Sequence, residues 1–259
     1  MILRRRVALN GVQLDSVNAA IIIQGIDVKA GKEQWSAVSY GAGDGSRVTG
    51  NRRESLDINV RFTINEKSYR PQQRATILDA VKKWAAGGGV LTLNYKSGQQ
   101  ARVKCVQLPE EGDAGTRGQY TIVFRAYDVP YFVETTPTTY TKENTRGVSG
   151  ASLTVNGSAR TPLEFSFKNT SNILIDTFKI TAGGNTIELT DLNLANNYTL
   201  ALDHDAKGRQ RIRVGTMSKM DCRTPESADE LWVDPGTASI TVTAGNVGTL
   251  TVYSYGRFA

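Results

Sequence analysis

Gln119–Phe132, QYTIVFRAYDVPYF, constrains this chain more than any other stretch. Tyr120, Ile122, Phe124 and Ala126 fall on one side of an extended chain, and Gln119, Thr121, Val123, Arg125 and Tyr127 on the other. That period of two predicts a β-strand with one buried face. The strand runs into Asp128-Val129-Pro130, where proline cannot donate to a ladder and restricts the residue before it. Two aromatics follow, then a polar, proline-punctuated spacer, Thr135–Thr139. One β-rich unit therefore ends in a rigid aromatic plug and a second begins, a design that suits an assembly component.

Ser55–Ile64 has the same alternation, with Leu56, Ile58, Val60, Phe62 and Ile64 on one face. Val7 and Leu9, continued to Val12 and Leu14, read as a short first strand, and Ala20–Val28 as a second. Arg70–Ala86 reads as a helix. Pro71 suits its first position, Ile77, Leu78, Val81, Trp84 and Ala85 form one stripe, and Gly87-Gly88-Gly89 stops it. Val90–Tyr95 and Ala101–Gln107 form a hairpin. Two polar segments, Tyr40–Glu54 and Leu108–Gly118, are too poor in apolar residues to bury themselves and read as arms. The prediction is a mainly β chain: an N-terminal β-sheet or split-barrel domain with one packing α-helix over 1–134, a linker over 135–148, and a β-sandwich over 149–259. The sandwich rests on short alternating strands, among them Leu163/Phe165/Phe167, Phe178/Ile180 and Ile187/Leu189, separated by turn signals.

Charge divides the chain in the same place. Residues 1–140 hold 19 Lys/Arg against 13 Asp/Glu, whereas residues 141–259 hold 12 of each. The whole excess of +6 belongs to the first unit. It offers a surface to a phosphate or an acidic partner, but the cations are scattered through strands rather than gathered in one short patch. No apolar run approaches the roughly 20 residues that span a bilayer, and no apolar stretch follows the basic N-terminus as in a secretory signal. Cys105 and Cys222 lie in different halves and form no disulfide framework.

Catalytic groups are sparse, and the chain does not read as an enzyme. His204, the only histidine, falls in DHDAKG and reads as a solvated hairpin tip. Asp203 and Asp205 flank it without the glycine and glutamate of a calcium loop. Gly41–Arg47 is glycine-rich but lacks the Gly-Lys-Ser/Thr ending of a phosphate cradle. No cofactor and no metal site is expected. Trp232, Tyr253 and Tyr255 are the candidates for stacking on a sugar ring, although each alternates with apolar neighbours.

The order of parts resembles the distal tail protein family of long-tailed, noncontractile (siphovirus-type) phages. The residues that carry the resemblance are the strand ending in Asp128-Val129-Pro130-Tyr131-Phe132, the Leu202-Asp203 to Arg211 hairpin and the Asp234-Pro235-Gly236 turn. Two departures stand out: Val129 separates the aspartate from the proline, and Thr237 follows Gly236 where the family often has asparagine. The resemblance implies a hexameric ring of first domains around a lumen that DNA crosses without specific binding, with a galectin-like sandwich projecting outward. It implies as partners the tail tube protein, a tail-tip or baseplate hub protein and the tape measure protein. It also implies a place in the virion tail tip, with assembly in the bacterial cytoplasm. In such a ring Arg47, Arg52, Arg53 and Arg117 would sit near subunit interfaces. A carbohydrate- or receptor-binding sandwich and a stacking tail tube subunit are the alternatives.

Overall fold

The computed structural model describes residues 5–39, 46–65, 71–110, 119–205 and 208–258, with side chains omitted over 35–52 and at position 71. The chain divides into two compact units, Met1–Phe132 and Val133–Phe258.

The first unit opens with β1 (Val7–Leu9) and β2 (Val12–Gln13), joined at Asn10-Gly11. Both turn residues have positive φ, 52° and 81°, the conformation of a two-residue turn that matches strand twist. This corrects the continuous first strand expected from Val7 to Leu14: Asn-Gly reverses the chain, and Leu14 opens a short helix, α1 (Leu14–Val17). Then come β3 (Ile21–Ala30), β4 (Glu33–Ser39), β5 (Ser46–Arg53), β6 (Leu56–Ile64), α2 (Pro71–Ala85), β7 (Gly89–Leu93), β8 (Gln99–Gln107) and β9 (Gln119–Ala126). Seven strands hydrogen-bond in the order β2-β1-β7-β8-β9-β6-β3, while β4 and β5 form a separate ribbon. The long sheet curls: Arg5, just before β1, donates from Nη1 to the Ile26 carbonyl on the far edge strand β3 at 3.3 Å. That curled sheet fits the β-sheet or split barrel expected.

The curl encloses one apolar face. Ile58, Val60 and Phe62 of β6 lie opposite Phe124, Ile122 and Tyr120 of β9, and all six are buried. Helix α2 seats Ile77, Leu78, Val81 and Ala85 in the same interior. Trp84 meets Phe124 edge-on at 5.9 Å and donates Nε1–H to the Val12 carbonyl at 3.0 Å. The helix exit is held by Asn10, whose side chain donates to Gly88 O (3.2 Å) and accepts from Val90 N–H (2.9 Å).

In the second unit β10 (Phe132–Glu134) leads to β11 (Thr138–Val155), β12 (Thr161–Asn169), β13 (Phe178–Ala182), β14 (Asn185–Leu189), β15 (Thr199–His204), β16 (Gln210–Val214), β17 (Met217–Ser218), β18 (Trp232–Val233), β19 (Gly236–Ser254) and β20 (Arg257–Phe258). The order is β14-β13-β19-β12-β15-β16-β17, with β11 also on β19 and β18 on β12. The first half of β19 pairs with β13 and the second half with β12. Gly248 lies in the second half, where a Cβ would come 2.2 Å from the Phe167 ring. Inward-facing residues of β11–β16 and β19 form one core, in which Phe178 packs against Phe165 and Phe167 at 5.2 and 4.9 Å.

The expected linker 135–148 is strand from Thr138 onward, paired with β19. Its side chains read as spacer because only Thr145 is buried and only Tyr140 packs on the core; main-chain bonds hold the rest. Edge strand β14 is covered by residues 222–228. Thr224 and Ala228 donate their N–H groups to Glu188 O and Thr186 O, and Thr190 N–H donates to Cys222 O.

Replacing Asn10 with alanine removes both side-chain bonds at the helix exit and leaves Val90 N–H without its acceptor. The first unit should lose about 1–2 kcal/mol, read as a lower urea midpoint with unchanged slope.

Candidate functional site

Three surfaces concentrate polar chemistry on this β framework. The first is the β4–β5 ribbon. A two-stranded ribbon is marginal in water on its own, so its root matters. Gly31 N–H donates to Ser55 O at 2.5 Å and Glu54 N–H to Lys32 O at 3.2 Å. A Cβ on Gly31 would lie 2.1 Å from Ser55 O, which excludes any larger residue. The Gln34 side chain donates to Glu54. Arg53 donates to Glu33 Oε1 at 3.3 Å and stacks over the Tyr131 ring at 5.0 Å.

Of the four arginines expected at subunit contacts, Arg53 is thus held within its own chain, its side chain only 15% exposed. Arg47 and Arg52 lie on β5, but their side chains fall outside the described set, as does the whole of Arg117. The segments 40–45 and 111–118, at the tips of the two expected arms, are likewise outside it.

The second surface is the outer face of the sandwich around β12. Glu164 lies opposite Tyr253, and Pro162 opposite Trp232. Tyr253 exchanges a hydrogen bond with Ser166 at 2.8 Å, and the Arg257 guanidinium sits 5.1 Å from the Trp232 ring. Burial pushes the Tyr255 hydroxyl up, helped by the nearby Glu164 carboxylate and then Tyr253. The structure therefore brings Tyr253 and Tyr255 to the Glu164 carboxylate, while Trp232 lies beside Pro162 and Arg257. All three are half-buried.

His204 is not a solvated tip. It closes β15 with a side chain only 9% exposed. Its N–H and its Nδ1 both meet Glu164 Oε1 at 3.0 Å, and a carboxylate only accepts, so Nδ1 carries the hydrogen. The turn begins one residue later than the sequence suggests, and β12 supplies the acceptor. The flanking carboxylates are also engaged. Asp203 binds Arg211 (2.8 Å) and Arg213 (2.7 Å), and Asp205 binds Arg209 (2.8 Å). No cluster of three metal-ligating side chains occurs among the described residues.

The third surface is the outer face of β3, β6, β9 and β8. Arg125 grips Asp57 with a two-pronged contact, 2.6 and 2.7 Å, and Arg61 pairs with Asp27 at 3.0 Å. The Asp57 bond holds the Arg125 guanidinium protonated beyond its ordinary range. Neither cysteine is an activated nucleophile: burial pushes both the Cys105 and the Cys222 thiol up. No described helix is long and apolar enough to cross a membrane.

No family model matches the chain, and no curated protein matches it either. Comparison of folds is informative. The SPP1 Dit protein, described as a paradigm of the hub adsorption apparatus in phages infecting Gram-positive bacteria, superposes with a TM-score of 0.69. The alignment covers 97% of this chain and 98% of that one, at 12% identity. The chain has the Dit fold. A protein of the phage p2 baseplate in its activated conformation aligns over 97% of both chains in two structures, with TM-scores of 0.45 and 0.44 and identities of 6% and 7%. The alignment with SPP1 Dit spans both units of this chain.

Replacing Glu164 with alanine strands the His204 main-chain N–H and ring in a buried site. The second unit should lose about 1–3 kcal/mol, measured by thermal or urea unfolding. Tyr255 adds an alkaline limit. Its folded pKa lies above the unfolded value of about 10, so the stability it contributes is present below that value and lost as pH rises through the folded one. Tyr255→Phe should flatten the unfolding midpoint above pH 10.

Proposed function

We propose that this protein is a noncatalytic structural hub of a phage tail, which forms a ring at the distal end of the tail tube. The observation that carries this reading is the likeness to SPP1 Dit over essentially the full length of both chains, sheet unit and sandwich together. In this reading six copies close the ring. The tail tube protein stacks on one side, the tail-tip or baseplate hub protein on the other, and the tape measure protein and DNA pass through the lumen. The protein is assembled in the bacterial cytoplasm and resides in the virion. A ring also answers a physical need of the chain, since the β4–β5 ribbon has no third strand among the described residues and a neighbouring copy would supply the missing support.

Light scattering after size exclusion tests the ring. Six subunits of 28.2 kDa give a mass of about 169 kDa. A 28.2 kDa species at every concentration and salt, with no rings in stained images, counts against it. Replacing residues 34–52 with Gly-Gly joins Glu33 to Arg53, which already face each other. That variant should keep its circular dichroism and lose the oligomer.

A second reading is favoured by one observation, the half-buried aromatics Tyr253 and Tyr255 beside Glu164, with Trp232 at Pro162 on the same strand β12. Here the sandwich would hold a host glycan by stacking. A glycan array distinguishes the two, because signal that disappears in Trp232→Ala and Tyr255→Ala would establish it.

A further inference from the structure

The basic residues scattered through the first unit's sequence are aligned by its sheet. Lys104 of β8 lies opposite Arg125 of β9, Arg125 opposite Asp57 of β6, and Asp57 opposite Lys29 of β3. One row across four adjacent strands, about 14 Å long at the usual strand spacing, thus reads Lys-Arg-Asp-Lys. Arg102 lies two residues from Lys104 on the same face of β8. Of the two carboxylates on this face, Asp57 is held by Arg125 and Asp27 by Arg61. Lys29, Arg102 and Lys104 are exposed, and none has an acidic partner among the described residues.

Placing Lys104 directly across from Arg125 is destabilising within a sheet. Packing gives no reason for it, because both side chains stand on the outer face. An external polyanion does. Neutralised phosphates release condensed counterions, and the gain grows with the number of cations brought to bear.

We propose that this face contacts the phosphate backbone of duplex DNA through Lys29, Arg102 and Lys104, flanked by the Arg125–Asp57 pair. The proposal rests on the tail-hub reading for the presence of DNA, whereas the charge pattern stands on its own. The contact is sequence-independent, since Lys29, Arg102 and Lys104 would meet phosphates and select no base edge.

The test is fluorescence anisotropy of labelled duplexes with the full-length protein between 50 and 200 mM salt. Oligomer mass is followed in parallel, so loss of the ring and loss of DNA contact are read separately. The wild type should bind two unrelated duplexes of equal length equally. Lys29→Glu/Arg102→Glu/Lys104→Glu should bind at least about ten-fold more weakly and flatten the salt slope by about three. Lys83→Glu/Arg146→Glu/Lys168→Glu changes net charge equally from other exposed positions, and should lose less than about three-fold. The alanine version of the first triple keeps the test readable if charge reversal impairs folding. Absence of wild-type binding at 50 mM salt, or equal losses in both charge-reversed triples, would overturn the proposal. So would equally tight binding of polyglutamate of matched charge through the same residues, which would assign the face to an acidic protein.

Discussion

The pairing of β6 with β9 is the constraint on which the first unit depends. One register puts Ile58, Val60 and Phe62 against Phe124, Ile122 and Tyr120 inside the curl. The same register puts Asp57 beside Arg125 outside. A slip of β9 by one residue would turn over its two faces, burying the Arg125 guanidinium and exposing the rings of Tyr120 and Phe124. Core, helix seat and charged outer surface are therefore a single decision, taken once by two strands from distant parts of the chain.

Much of this was legible because period-two alternation survives in any context. Leu56–Ile64 and Gln119–Ala126 announce their buried faces without reference to partners, and the stripe of Ile77, Leu78, Val81 and Trp84 does the same for α2. Two errors have a common origin. At Asn10-Gly11 the apolar alternation of Val7–Leu14 hides a turn, although Asn-Gly is a strong hairpin signal. Residues 138–148 look like linker because their side chains are polar, whereas the ladder to β19 is made by main-chain groups indifferent to side-chain polarity.

Pairwise geometry was not legible. Nothing in DHDAKG reveals that Glu164, 40 positions upstream, supplies the acceptor that buries His204. Nothing in the spacing of Lys29, Lys104 and Arg125 reveals one transverse row, because strand order decides which residues become neighbours. Strand order likewise decides that Trp232 falls opposite Pro162 and Tyr253 opposite Glu164, on the two sides of β12. The likeness to SPP1 Dit at 12% identity has the same physical basis. Alternation, turn chemistry and strand order specify a fold, and many side chains satisfy them.

The covered edge of β14 has a consequence for how such a protein waits. A bare strand edge is a template on which a second chain can grow, and it is most dangerous when many copies accumulate before use. Here residues 222–228 occupy β14 from within the same chain, and the strand at the opposite end of the order, β17, is only two residues long. Those two ends of the sandwich are consequently blunted, whereas β11 pairs only with β19 and has no strand on its other edge among the described residues. A copy waiting for its partners is therefore guarded at β14 and β17, and a strand added to the sandwich would have to come along β11.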